Sequence, residues 1–138
     1  MRASFLVPCE YVIRGSNGAP SLLGIFHAIG TREFPHSIAG SFVAFELEAE
    51  PFEADREYDL VMRLIDADGH AILEYSGIAE FLRHPESLPS QFWYAYQLDE
   101  RAQLPAPGVY RFDLLLDNDI IASTRMVARF VSEADEAI

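Results

Sequence analysis

Leu104-Pro-Ala-Pro-Gly-Val-Tyr-Arg-Phe-Asp-Leu-Leu-Leu-Asp-Asn-Asp-Ile-Ile121 decides how this chain is read. Pro107-Gly108 closes a loop. Tyr110, Phe112, Leu114 and Leu116 then fall on one face at a period of two, the repeat of a half-buried strand. Asp117-Asn118-Asp119 supplies residues that tolerate positive φ, which a tight hairpin turn demands. The stretch reads as loop, strand, tight turn and the start of a returning strand.

The same punctuation recurs outward in both directions. Residues 3–13 read as a first strand, with Pro8 placing it at an edge or in a bulge. Gly15-Ser-Asn-Gly-Ala-Pro20 is a turn, and Ser21 to Ile29 returns as a second strand. Gly24 marks a bulge or a close approach there. Residues 30–37 read as a connection, and Ile38 to Ala49 as a third strand. Glu57 to Asp66 alternates cleanly, with Tyr58, Leu60, Met62 and Leu64 on one face. Asp66-Ala-Asp-Gly69 turns the chain, and His70 to Phe81 returns. Residues 82–90 form a loop, Gln91 to Leu98 an aromatic strand, and residues 99–104 one short helical turn. The opening hairpin follows, its second strand running from Ile120 to Phe130. The sum is about eight strands separated by turn signals, the pattern of an all-β antiparallel β-sandwich. One domain over residues 1–131 is expected, followed by an acidic, frayed tail over 132–138.

Composition bounds the rest. Half of the 138 residues are hydrophobic, enough for one sizeable core. No apolar run approaches the roughly 20 residues of a membrane helix, and the Phe5-Leu6-Val7 run is too short for a secretory signal. A soluble, cytoplasmic chain is the resulting expectation. The net charge is −12, and all ten basic residues are Arg. Nucleic acid and anionic membranes are therefore not expected partners, because both select basic patches. A basic protein partner or a divalent cation suits the charge better, and plain solubility explains it as well. The lone Cys9 excludes an internal disulfide framework.

Several short segments carry a resemblance. Cys9-Glu10-Tyr11, Leu23-Gly24-Ile25-Phe26, Phe34-Pro35, Leu64-Ile65-Asp66-Ala67-Asp68-Gly69 and Pro107-Gly108-Val109-Tyr110 occur in this order along the chain. In these the chain resembles a family of small, uncharacterised bacterial β-sandwich proteins, a domain of unknown function. The resemblance implies a fold and assigns no catalytic residue. Tyr110, just after its turn, is similar to the corner tyrosine of immunoglobulin-like sandwiches. Phe112 stands where an antibody-type domain has its second Cys, so the likeness is one of architecture, and architecture does not give function.

Four groups of residues invite a chemical reading. Asp66, Asp68, Asp117 and Asp119 lie in two hairpin turns, and if both turns share an end they could converge on Ca²⁺. Asp and Asn are also ordinary turn residues, and neither segment completes a calcium loop, so no metal or cofactor is expected. In Phe92-Trp93-Tyr94-Ala95-Tyr96, Trp93 points away from its aromatic neighbours. It could stack on a sugar or anchor a protein contact, or pack beneath a loop or a twin subunit. Glu46 and Glu48 alternate with Phe45 and Leu47 and project to solvent. They open an acidic stretch that either guards an edge or docks a basic partner. Cys9 reads as a small buried hydrophobe, since Glu10 beside it disfavours a thiolate; an approach to His27 depends on the hairpin register. His27, His36, His70 and His84 form no ligand pair. No phosphate loop or nucleophile elbow is present.

The expected function is a non-enzymatic protein-binding or assembly module acting through a sheet face or edge, with self-association as one form. A Ca²⁺- or carbohydrate-binding sandwich is the first alternative. An enzyme with a loop-borne site is the second, although no converging acid, base and nucleophile can be named.

Overall fold

The computed structural model describes residues 1–132. Of the acidic tail expected over 132–138, residues 133–138 lie outside the described residues. Eleven strands run in chain order: β1 (Arg2–Arg14), β2 (Pro20–Ile25), β3 (Ala28–Thr31), β4 (His36–Ser37), β5 (Phe42–Ala49), β6 (Arg56–Ile65), β7 (Ala71–Phe81), β8 (Ser90–Gln97), β9 (Gln103–Leu104), β10 (Gly108–Leu116) and β11 (Asp119–Phe130). One sheet has the order β2-β1-β5-β8, and the facing sheet β3-β11-β10-β6-β7. β4 and β9 form a small third pair. The result is an immunoglobulin-like β-sandwich.

The opening stretch does what its alternation predicts. Tyr110, Phe112, Leu114 and Leu116 are all buried, facing the other sheet. Their register partners Met126, Leu64, Met62 and Leu60 are buried on the same face. From the opposite sheet Val43, Phe45 and Leu47, all at 0% exposure, close one continuous core. The turn forms with φ of 48° at Asp117 and 71° at Asn118, both in the left-handed region.

Four expectations need correction. β3 runs parallel to β11, so the sandwich is not purely antiparallel. The expected second strand breaks after Ile25, and residues 28–31 cross to the other sheet instead. The third strand begins at Phe42 rather than Ile38, because Gly40 at φ 90° turns the chain first. Residues 99–104 form no helix: the Ala102 N–H closes one tight turn onto the Asp99 carbonyl at 3.0 Å, the Asp99 carboxylate accepts the Arg101 N–H at 2.9 Å, and the chain then enters β9. The Phe34–Pro35 peptide is cis.

Pro8 sits where β1 is locally the edge of its sheet, as expected: β5 pairs with it on one side, and on the other β2 has ended at Ile25, opposite Cys9. Its carbonyl accepts the Phe26 N–H at 3.1 Å, just beyond the last β1–β2 pair, Cys9 with Ile25. Its missing N–H therefore falls on the side where β2 has already ended, and no ladder bond with β5 is lost.

Candidate functional site

β1 pairs with β5 only as far as Cys9, opposite Phe42. Beyond that point residues 10–14 keep one ladder neighbour, β2, and the two form a ribbon that leaves the sheet and folds back toward Trp93 on the outer face of β8. Tyr11 pairs with Leu23, and Ile13 and Ile25 lie two residues away on the same face. These four side chains are 61%, 49%, 54% and 50% exposed. Val12 and Leu22, a register pair on the other face, are half-buried.

The ribbon is pinned at its tip. Gly15 and Ala19 close the turn through a 2.7 Å backbone bond, with Gly18 at φ 83°. The Gly18 carbonyl then accepts the Trp93 indole N–H at 3.0 Å. The Arg14 guanidinium lies 4.8 Å from the Trp93 ring centre. Trp93 does point away from the core, but the turn engages its polar edge and Arg14 covers one ring face. Gly24, at φ 68°, is a close approach: a Cβ there would meet the Glu10 side chain at 2.9 Å.

Glu46 and Glu48 occupy the outer face of β5 and are half-buried, not fully projecting. Glu46 lies in register between Phe5 and Trp93. Glu48 accepts two hydrogen bonds from Arg2, at 2.5 and 2.9 Å, so its charge is already paired.

The four turn aspartates do not converge. Ile65, next to Asp66, is in register with Arg111, while Leu60 is in register with Leu116, next to Asp117. The two turns therefore sit at opposite ends of the same sheet. Asp66 accepts the N–H groups of Asp68 and His70, both at 2.9 Å; the His70 bond leads the causes that hold its carboxyl below the usual range. Asp117 accepts the Asp59 N–H at 2.9 Å and Arg56 at 2.8 Å. Both are turn-stabilising residues. Asp66, Asp68 and His70 do stand within 4.8 Å of one another, in a mostly exposed cluster.

Cys9 is fully buried and burial pushes its thiol up, against nucleophilic use. His27 is exposed and leaves toward β11, where its carbonyl accepts the Val127 N–H at 2.9 Å. The register pairs Cys9 with Ile25, not with His27.

Two features escaped the sequence reading. Asp113 is fully buried on the outer side of β10, where it accepts Arg111 at 2.7 and 3.0 Å, Ser123 at 2.6 Å and Arg63 at 3.4 Å. Burial pushes its carboxyl up, but Arg111, Ser123 and Arg63 outweigh that and hold it below the usual range. The Arg111-x-Asp113 spacing was the available signal, since residues two apart share a strand face. The second feature is an aromatic seam along the open side of the sandwich. Tyr75 stacks on Tyr96 at 5.3 Å and 9°, and Phe81 meets Phe92 at 5.8 Å.

Comparison with known proteins adds a family. The model of a family of unknown function, DUF6941, matches residues 4–129. The chain belongs to that family. No curated protein matches it. Among solved structures, Pseudomonas fluorescens alkylpurine DNA glycosylase AlkC, bound to DNA containing an abasic site analog, aligns at TM-score 0.47 and 10% identity. That alignment covers 93% of this chain but 30% of the glycosylase, so the chain spans under a third of that protein's length. An immunoglobulin-like protein from Pseudomonas aeruginosa aligns at TM-score 0.45 and 11% identity, covering 93% of this chain and 95% of that one. Among the described residues no helix is long and apolar enough to cross a membrane.

Proposed function

We propose that this family member is a non-enzymatic protein-binding module that docks its partner on the apolar face of the β1–β2 ribbon. The observation that carries the reading is the quartet Tyr11, Ile13, Leu23 and Ile25, each about half exposed or more on one face. Scattered apolar side chains are normal on a protein surface, but a contiguous set on a held element marks a contact. The ribbon is held, by Gly18 and Arg14 against Trp93, so little ordering entropy opposes docking. β2 is also the edge strand of its sheet, which gives a partner backbone groups as well as side chains.

The acidic stretch gives weaker support for a basic partner, because Glu48 is committed to Arg2. A second copy of the chain is the other protein that this face would accept. The test is elution of the tagged chain in extract of the cells that naturally make it. The wild type is expected in a discrete complex larger than the purified chain forms alone. The Tyr11→Ser/Leu23→Ser variant is expected to elute as the free monomer. Identical elution of the two would overturn the proposal.

A further inference from the structure

The inner face of β7 carries Leu73, Tyr75, Gly77, Ala79 and Phe81, read from the register partners Leu64, Met62, Leu60, Tyr58 and Arg56. The inner face of β8 carries Phe92, Tyr94 and Tyr96, opposite Leu47, Phe45 and Val43. These two edge strands face each other across the open side of the sandwich. Rings fill the gap at both ends: Tyr75 on Tyr96, and Phe81 on Phe92. In the middle, Tyr94 meets no ring from β7. Gly77 contributes no side chain there, and Tyr94 is left 49% exposed.

The space is a slot of about 260 Å³, lined by Leu60, Ser76, Gly77, Ile78, Tyr94 and Tyr96, with Phe92 at its side. That volume is below the usual range for a drug-sized ligand and suits a single ring. A Cβ on Gly77 would stand 3.1 Å from the Tyr96 hydroxyl, so the missing side chain keeps the slot open at its polar point. A glycine inside a strand is the residue expected where a ligand approaches the backbone closely. Among the described residues nothing hydrogen-bonds the Tyr96 hydroxyl, and it is not sealed from solvent. Burial, with Tyr94 adding to it, pushes its ionisation up, so it stays a neutral donor. Tyr96 is held by the Tyr75 stack and by an edge contact to Tyr94 at 4.9 Å. Tyr75 is fixed in turn by accepting the Asp99 N–H at 2.8 Å.

We propose that the slot between β7 and β8 binds one small planar aromatic ring bearing a hydrogen-bond acceptor, the ring packing beside Tyr94 over Gly77 and the acceptor taking the Tyr96 hydroxyl. A free sugar fits less well, because its several hydroxyls would face Leu60, Ile78 and Phe92. This site is separate from the ribbon, and its fate does not depend on the docking proposal.

The experiment is amide-resolved NMR with benzoate, 4-hydroxybenzoate, indole, cyclohexanol and glucose at millimolar concentration. Benzoate and 4-hydroxybenzoate are expected to shift the amides of residues 76–78 and 92–96. Indole should act more weakly, and cyclohexanol and glucose should leave those amides unmoved. Gly77→Val should abolish the shifts, and Tyr96→Phe should bring benzoate down to the level of indole. Should Gly77→Val not fold, Tyr94→Ala at the exposed wall replaces it, with at least a several-fold weakening expected. No shift with any aromatic, an equal response to glucose, or full binding by the folded wall variants would overturn the proposal.

Discussion

The Tyr110 hydroxyl donates to the carbonyl oxygen of Ala106 at 2.5 Å, reaching back four residues to clasp the loop that precedes its own strand. The Ala106 N–H in turn donates to the Tyr110 hydroxyl oxygen at 3.3 Å. The ring of Tyr110 is buried in the core while its tip fastens the loop, so one side chain fixes where β10 begins. Tyr110→Phe keeps the ring and removes the clasp. It is expected to cost about 1 to 2 kcal/mol, read as a lower urea midpoint with an unchanged slope.

Asp113 makes stability depend on acid. Its folded-state carboxyl is held low against burial by Arg111, Ser123 and Arg63. A depressed carboxylate contributes stability above its ordinary pKa of about 3.9, and that contribution is lost as pH falls through the lower folded value. The wild type should therefore lose stability on acidification below about pH 4. Asp113→Asn should be less stable at neutral pH by roughly 2 kcal/mol and flatter in that acid range. Urea unfolding of both proteins between pH 7 and pH 2 measures this.

The turn at Asp117 and Asn118 sits in the left-handed region at both central positions. Asn118→Gly should be nearly neutral in thermal unfolding. Asn118→Val should cost about 1 to 2 kcal/mol, because a branched Cβ clashes with that backbone. Equal melting temperatures for the two variants would contradict the assignment.

The fold was readable for the strands where one period dominates, and the docking face was not, for a physical reason. β10 places an apolar residue at every second position from Tyr110 to Leu116, and its turn residues are chemically specific. In β1 and β2 both faces are apolar: Tyr11 and Ile13 alternate with Val12, and Leu22 lies beside Leu23. Alternation cannot then say which face meets solvent; that depends on where β5 begins, at Phe42, a long-range register. The calcium idea failed on the same kind of fact. Asp66 and Asp117 look alike as turn residues, and only the β6–β10 register puts them at opposite ends. Gly77 was legible as a residue, but its meaning depends on Tyr94 facing it from another sheet.

The ribbon tip gives a spectroscopic prediction. Trp93 is the only tryptophan and lies beneath Arg14 and the Gly18 carbonyl. Its emission should be only partly quenched by iodide. Arg14→Ala uncovers one ring face and should increase that quenching and shift the emission to the red. An unchanged quenching slope would mean that Arg14 does not cover the ring.

Site-specific photo-crosslinking tests the docking proposal most directly. A photoreactive phenylalanine analogue is placed at Leu23 on the ribbon face or at Glu74, which lies on the outer face of the opposite sheet. After irradiation in the native cells, Leu23 should yield one or a few discrete protein adducts, a doubled mass marking a second copy of the chain, and Glu74 should yield none of them. No adduct at Leu23, or the same adducts from both positions, would contradict the account.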